Sequence, residues 1–205
     1  MVRLATIPMP AYLEYASIRA SADEFLLRNG WRGEIPVNIE RIIDVAMQID
    51  IVREPELTKR LDLEGFLTRD RKTIYVDDYT QDVLENRYRF TLAHEVGHHE
   101  LHKAIYTKAD FQTIPEFKDF LRRLPEQVKA RLEYQANCFA GLILAPATQL
   151  ASAVSEAAFR ARSRWYEVDL NEAADRGYII PIVARRLAVS GDVVEIRGRF
   201  DGLWQ

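Results

Sequence analysis

All four histidines of the chain fall in one short stretch, Arg89 to His102. Within it, His94-Glu95-Val96-Gly97-His98 has the spacing of a metal site. On a helix, residues four apart leave the same face, so the imidazoles of His94 and His98 can close on one ion. Zn²⁺ takes imidazole nitrogen, requires a third protein ligand and keeps a fourth position for water. Glu95 is adjacent in sequence but rotated off that line, an offset that suits a general base beside the water better than a ligand. The alternative is a solvated helix face with ordinary histidines, but Phe90, Ala93, Val96, Gly97 and Leu101 also supply a buried side. Gly97 costs the helix about 1 kcal/mol; the expected reason is the close approach of another backbone.

The third ligand is less evident. His99 points about 100° away from His98. His102 continues the i, i+4 line, but a straight helix sets three such residues in a row rather than around a point. The metzincin spacing HExxHxxGxxH is absent. Glu133 is the better choice: it sits in a helical stretch with Asn137 one turn on, and Asn137 can steady one imidazole from outside. Ala136 and Ala140 are small enough to let that helix come close. On spacing alone, a solvated helix carboxylate accounts for Glu133 equally well.

The bulk numbers bound the setting. The chain has 205 residues, room for one domain or one domain with a small appendage. It is 48% hydrophobic and 29% charged, with net charge −3, so no overall basic field draws it to nucleic acid or an anionic membrane. One cysteine, Cys138, excludes an internal disulfide, fits a reducing compartment and reads as a small buried residue. Met1 to Pro10 lacks signal-peptide organisation, and no stretch approaches the ~18 apolar residues of a membrane span. A cytoplasmic protein, with no membrane partner, is the expectation.

The elements that must position the histidines follow from period and punctuation. Ala11 to Asn29 reads as an amphipathic helix closed by Asn29-Gly30. A second helix starts with Asn38 as cap. Asp50 to Arg53, Leu61 to Leu67 and Thr73 to Asp77 read as strands, together a small antiparallel sheet before the metal helix. Thr73 to Asp77 serves either as a core strand or as an edge that adds an extended peptide. The metal helix is expected over about Asn86 to His102, then an irregular segment from Lys103 to Pro115. Helices follow over Glu116 to Leu124, Pro125 to Leu144, Ala147 to Arg162 and Leu170 to Leu187, where Pro181 can kink or split the last. Residues Arg185 to Val194 resemble a helix-turn-helix with Ser190 capping its second helix, a weak likeness because short-linked helix pairs are common. The fold class is α+β, mostly helical and zincin-like. A metallopeptidase domain is expected over 1–150, with its core at 37–146, and a helical C-terminal segment over 151–205.

Two separated motifs add a family likeness. Arg89 to His102 resembles the RFTLAHELGHLLLH signature of the ImmA/IrrE family of zinc metallopeptidases. Glu133-x-x-Ala136-Asn137-x-Phe139-Ala140, followed by Leu142, Leu144 and Pro146, resembles that family's ExEANxFAxxLLMP helix, and Ile74 to Asp77 is similar to its IYVN strand. The chain departs from the pattern at Gln135, where a second Glu is frequent, and at Ala145, where Met is usual. Because position 135 should point elsewhere on the helix, the first departure is expected to be tolerated. The resemblance implies a gluzincin-like site, with His94, His98 and Glu133 on Zn²⁺ and Glu95 as base. It implies an intracellular regulatory peptidase whose relatives cleave helix-turn-helix repressors or antitoxins.

The expected activity is therefore peptide hydrolysis in a protein partner. Besides the metal, a donor is needed for the carbonyl oxygen as it gains charge, and Tyr75, Tyr134 and Tyr166 are candidates by chemistry alone. The rival is a zinc-stabilised regulatory module, in a phage, toxin-antitoxin or stress-response system, that binds its partner without cutting. Direct DNA binding through the C-terminal helices is not expected: Asp192, Glu195 and Asp201 dilute the charge of Arg185, Arg186, Arg197 and Arg199.

Overall fold

The computed structural model describes residues 9–162 and 167–205. The first helix, α1 (Tyr15–Arg28), buries Ile18, Ala22, Phe25 and Leu26 and ends at Asn29, before Gly30 at φ +81°. Asn38 caps α2 (Ile39–Arg41), its Oδ1 accepting the Arg41 amide at 3.0 Å, and the coil widens into a π-helical turn over Ile42–Ala46.

The strands are β1 (Asp50–Glu54), β2 (Gly65–Leu67) and β3 (Thr73–Asp77), with α3 (Leu57–Leu61) between the first two. The sheet order is β1-β3-β2. The sheet is mixed, not antiparallel as the sequence suggests: β3 runs parallel to β1, with Asp50 beside Thr73, and antiparallel to β2, with Phe66 opposite Tyr75. The physical reason is the connection, because residues 55–72 exceed the dozen or so that a parallel return needs. Leu61 to Leu67 is a strand only in its last three residues; the chain turns at Asp62, which takes φ 58°. β3 is the central strand, paired on both sides, so it offers no edge to a peptide.

Asp77 caps α4 (Asp78–Val83) by accepting the Thr80 amide at 3.2 Å. Then come α5 (Glu85–Leu101), which carries the histidines, and α6 (Lys103–Lys108), in a segment expected to be irregular. Ile105 and Tyr106 turn inward there and hold the turn in place. A Thr113/Glu116 capping box starts α7 (Ile114–Arg123). Pro125 stands at the cap of α8 (Glu126–Leu144), followed by α9 (Ala147–Arg162). Pro181 lies inside α10 (Ala173–Leu187) without splitting it. Ser190 caps α11 (Gly191–Phe200), its Oγ accepting the Val193 amide at 3.3 Å. Among the described residues, no single helix is long and apolar enough to cross a membrane.

The core forms where α8 crosses α5. A Cβ at Gly97 would stand 2.9 Å from the Cα of Ala136 and 3.0 Å from its carbonyl oxygen, both rigid backbone atoms. On its far side α8 packs α1, with Phe25 edge-on to Phe139 at 5.6 Å. At its end, α11 turns Val193, Val194 and the buried Arg197 inward. Gly97→Ala should gain about 1 kcal/mol of helix propensity and lose more to overpacking, about 1–3 kcal/mol. Urea unfolding of the two proteins measures the net loss; a variant as stable as the parent would show that the crossing has slack.

Candidate metal centre

His94 and His98 leave α5 on one face, and their Nε2 atoms lie 3.0 Å apart. Glu133 reaches them from α8, with Oε2 at 3.4 Å from His94 Nε2 and Oε1 at 3.8 Å from His98 Nε2. One ligand-type atom from each of the three lies within 4.8 Å of the others. Bonds of 2.0–2.2 Å from a tetrahedral ion imply donor–donor edges of about 3.3–3.5 Å, so the trio is spaced for such an ion. Two imidazoles and a carboxylate also form the donor set of a site that keeps one position open.

The surroundings steady these ligands. Asn137 Oδ1 lies 2.9 Å from His94 Nδ1, which puts a proton on Nδ1, so that the neutral imidazole keeps its lone pair on Nε2. His98 Nδ1 lies 2.9 Å from Nδ1 of His102, and His102 Nε2 lies 2.9 Å from Gln135 Oε1. Burial holds His98 far below the usual imidazole range and brings His102 down to about 4, so both stay neutral at pH 7. For His94, burial pulls the same way but is outweighed by the hydrogen bond to Glu133 and the charges of Glu95 and Glu133. Glu133 is lowered in return: burial pushes it up, but the bond to and charge of His94 win.

Glu95 is in the same cleft but not in the trio. Burial pushes its carboxyl up to about 7, against the pull of the His94 charge and the Leu67 backbone amide. A divalent cation beside it would draw it back down. Its Oε2 is buried without a hydrogen-bond partner among the described residues. β2 can lie this near because Gly65 has no side chain: a Cβ there would meet Thr91 Cγ2 at 2.7 Å.

The cleft holds about 270 Å³. Residues 62–65 line one side, and Lys129, Glu133 and Asn137 of α8 the other, with an apolar wall from Ile105, Phe117, Phe120 and Leu124. Of the tyrosines singled out as donors, Tyr75 stacks on Phe66 at 5.0 Å, and Tyr134 lines a separate groove with Cys138. Tyr166 lies outside the described residues. Neither described candidate lines the cleft. Tyr106 does, its ring centred 6.3 Å from that of His98. Nothing in its spacing marks it, because α6 delivers it. His99 turns away from the site to Glu100 (3.0 Å), which pairs with Arg28 at 2.7 Å. Gln135 points away from the trio, as expected, and is buried against His102. That contact had a signal, since His98 and His102 are one turn apart and must meet.

No curated protein matches the chain. A solved structure of a Mycobacterium tuberculosis transcriptional regulator superposes on 87% of this chain with a TM-score of 0.52 and 14% identity. The chain spans 45% of the length of that protein, and at this identity the likeness is one of fold. The profile of the peptidase M78 family, described as the IrrE N-terminal-like domain, matches residues 46–197, which take in α5, α8 and the whole metal cluster: the chain belongs to that family.

Proposed function

We propose that the chain is a zinc-dependent endopeptidase of the cytoplasm that cuts a peptide bond in a protein partner, a helix-turn-helix repressor or antitoxin. One observation carries the reading. Glu95 Oε2 is a buried oxygen with no donor among the described residues, in the same cleft as two imidazoles and a carboxylate spaced for one ion. A buried acceptor of this kind is costly unless water or substrate completes it. The M78 family membership supports a metallopeptidase activity, and the partner class is what the motif resemblance implies.

His94, His98 and Glu133 would hold the zinc, and Asn137 would steady His94. When bound, zinc polarises the scissile carbonyl and makes water a nucleophile near pH 7. Glu95 takes the proton of the attacking water and returns it to the leaving amine. Tyr106, in the cleft wall, offers its hydroxyl to the carbonyl oxygen as negative charge develops there. β2 pairs only with β3 among the described residues, and its outer edge takes the substrate as an added strand. The wall of Ile105, Phe117, Phe120 and Leu124 takes an apolar side chain beside the cut bond.

Two variants separate the roles. Glu95→Gln should keep its metal yet lose cleavage of a helix-turn-helix protein encoded beside this chain, by about 10²–10⁴-fold. Cleavage at the parent rate would remove Glu95 as the base, and an undiminished cellular effect without cleavage would favour the binding module. Glu133→Ala should leave purification with far less zinc than the parent in elemental analysis; equal zinc in both would dismiss Glu133 as a ligand.

A further inference from the structure

We propose that Ala11, Gln135 and His102 form a one-way hydrogen-bond relay that fixes the proton of His98 on Nδ1 and so aims its Nε2 lone pair at the metal. The inference rests on the metal-centre reading above.

The direction of the relay follows from its outer end. The carbonyl oxygen of Ala11 can only accept, and Gln135 Nε2 donates to it at 2.8 Å. Gln135 therefore presents Oε1, a pure acceptor, to His102 Nε2 at 2.9 Å. The proton of His102 must sit on that Nε2. A neutral His102 then has a bare Nδ1, which faces His98 Nδ1 at 2.9 Å. His98 must donate from Nδ1, and its Nε2 is left without a proton. The reverse order fails at each link. If the amide were flipped, two oxygens would face each other; if His102 held its proton on Nδ1, bare Nε2 would face Oε1. Gln135 is 1% exposed and His102 2%, so neither mismatch could be relieved by water.

The relay meets the other imidazole at the site. His94 donates from Nδ1 to Asn137, so in its neutral form its bare Nε2 faces the bare Nε2 of His98 at 3.0 Å. Only a cation or an added donor relieves such a pair. The anchor is local: Arg131, one turn before Gln135 on α8, donates to the carbonyl of Pro10 at 2.9 Å. Two side chains of α8 thus hold consecutive carbonyls of the segment leading into α1, which lies outside residues 46–197 of the family match. His102, Gln135 and the Ala11 carbonyl are positioning groups, acting on the metal through His98.

The test has two readouts on the full chain. In the metal-free protein, ¹⁵N chemical shifts should show His98 protonated on Nδ1 and His102 on Nε2; His98 protonated on Nε2 would overturn the relay. Zinc affinity, read by competition with a chromophoric chelator, should fall about 10–100-fold in Gln135→Met and in His102→Phe. Both variants should keep the far-ultraviolet circular dichroism and the urea midpoint of a folded chain, which shows that the loss is not one of folding. Unchanged affinity in both apolar variants would overturn the relay. A parent protein with the expected tautomers that bound no zinc would instead overturn the metal-centre reading, and the relay's purpose with it.

Discussion

The bare backbone contact between Gly97 and Ala136 is the constraint on which the site depends. Helix axes pack 8–10 Å apart according to the side chains between them, and here one helix contributes none. Metal–ligand bonds tolerate errors of about 0.2 Å, whereas one added methyl group would push α8 away by more than that. The distance between α5 and α8 is thus also the distance between two imidazoles and the carboxylate that faces them. A glycine that weakens its own helix stands where a Cβ would meet the backbone of another.

The same crossing divides two kinds of chemistry. Taking Ala136 as the contact line, Glu133 lies about 60° round α8 to one side and Gln135 about 100° to the other. The first side opens on the cleft, where Glu133 stands with His94 and His98. The second is closed by α1 and the segment before it, where the hydrogen bonds that end at Ala11 are shielded. On the proposed reading, which needs a site open to substrate and rigid around a metal, the two faces of one helix keep those properties apart.

The helical period makes His94 and His98 legible as a pair, and Glu95 as their offset neighbour. The same reasoning makes Gly97 and Ala136 legible as a close approach. Glu133 is different: nothing local distinguishes it from a solvated carboxylate, and only the likeness to a family motif singles it out. Gln135 points away from Glu133, as the helical period requires, but its burial is not legible, because it depends on α8 being buried on several sides, from Val128 to Leu144. The parallel pairing of β1 with β3 was hidden for a related reason. Three short strands in succession suggest hairpins, and the α3 turn that lets the chain return in the same direction is too short to show a period. Tyr106 depends wholly on tertiary structure.

Because His94, His98 and Glu133 span two helices, anything that sets the position of α8 along its axis bears on their spacing. Its middle is set by Gly97, and the side facing α1 by the carbonyls of Pro10 and Ala11. Its C-terminal end is set by Arg197 of α11. The guanidinium donates to the carbonyls of Gly141 and Ala145 at 3.0 and 2.8 Å, and pairs with Asp201. A cation at the end of a helix satisfies carbonyls that the helix leaves open and opposes its dipole. Buried, it would be expensive without Asp201, and Trp204 closes over Gly198, where any side chain would collide with the ring. The C-terminal helices therefore brace the framework that holds Glu133 opposite the histidines.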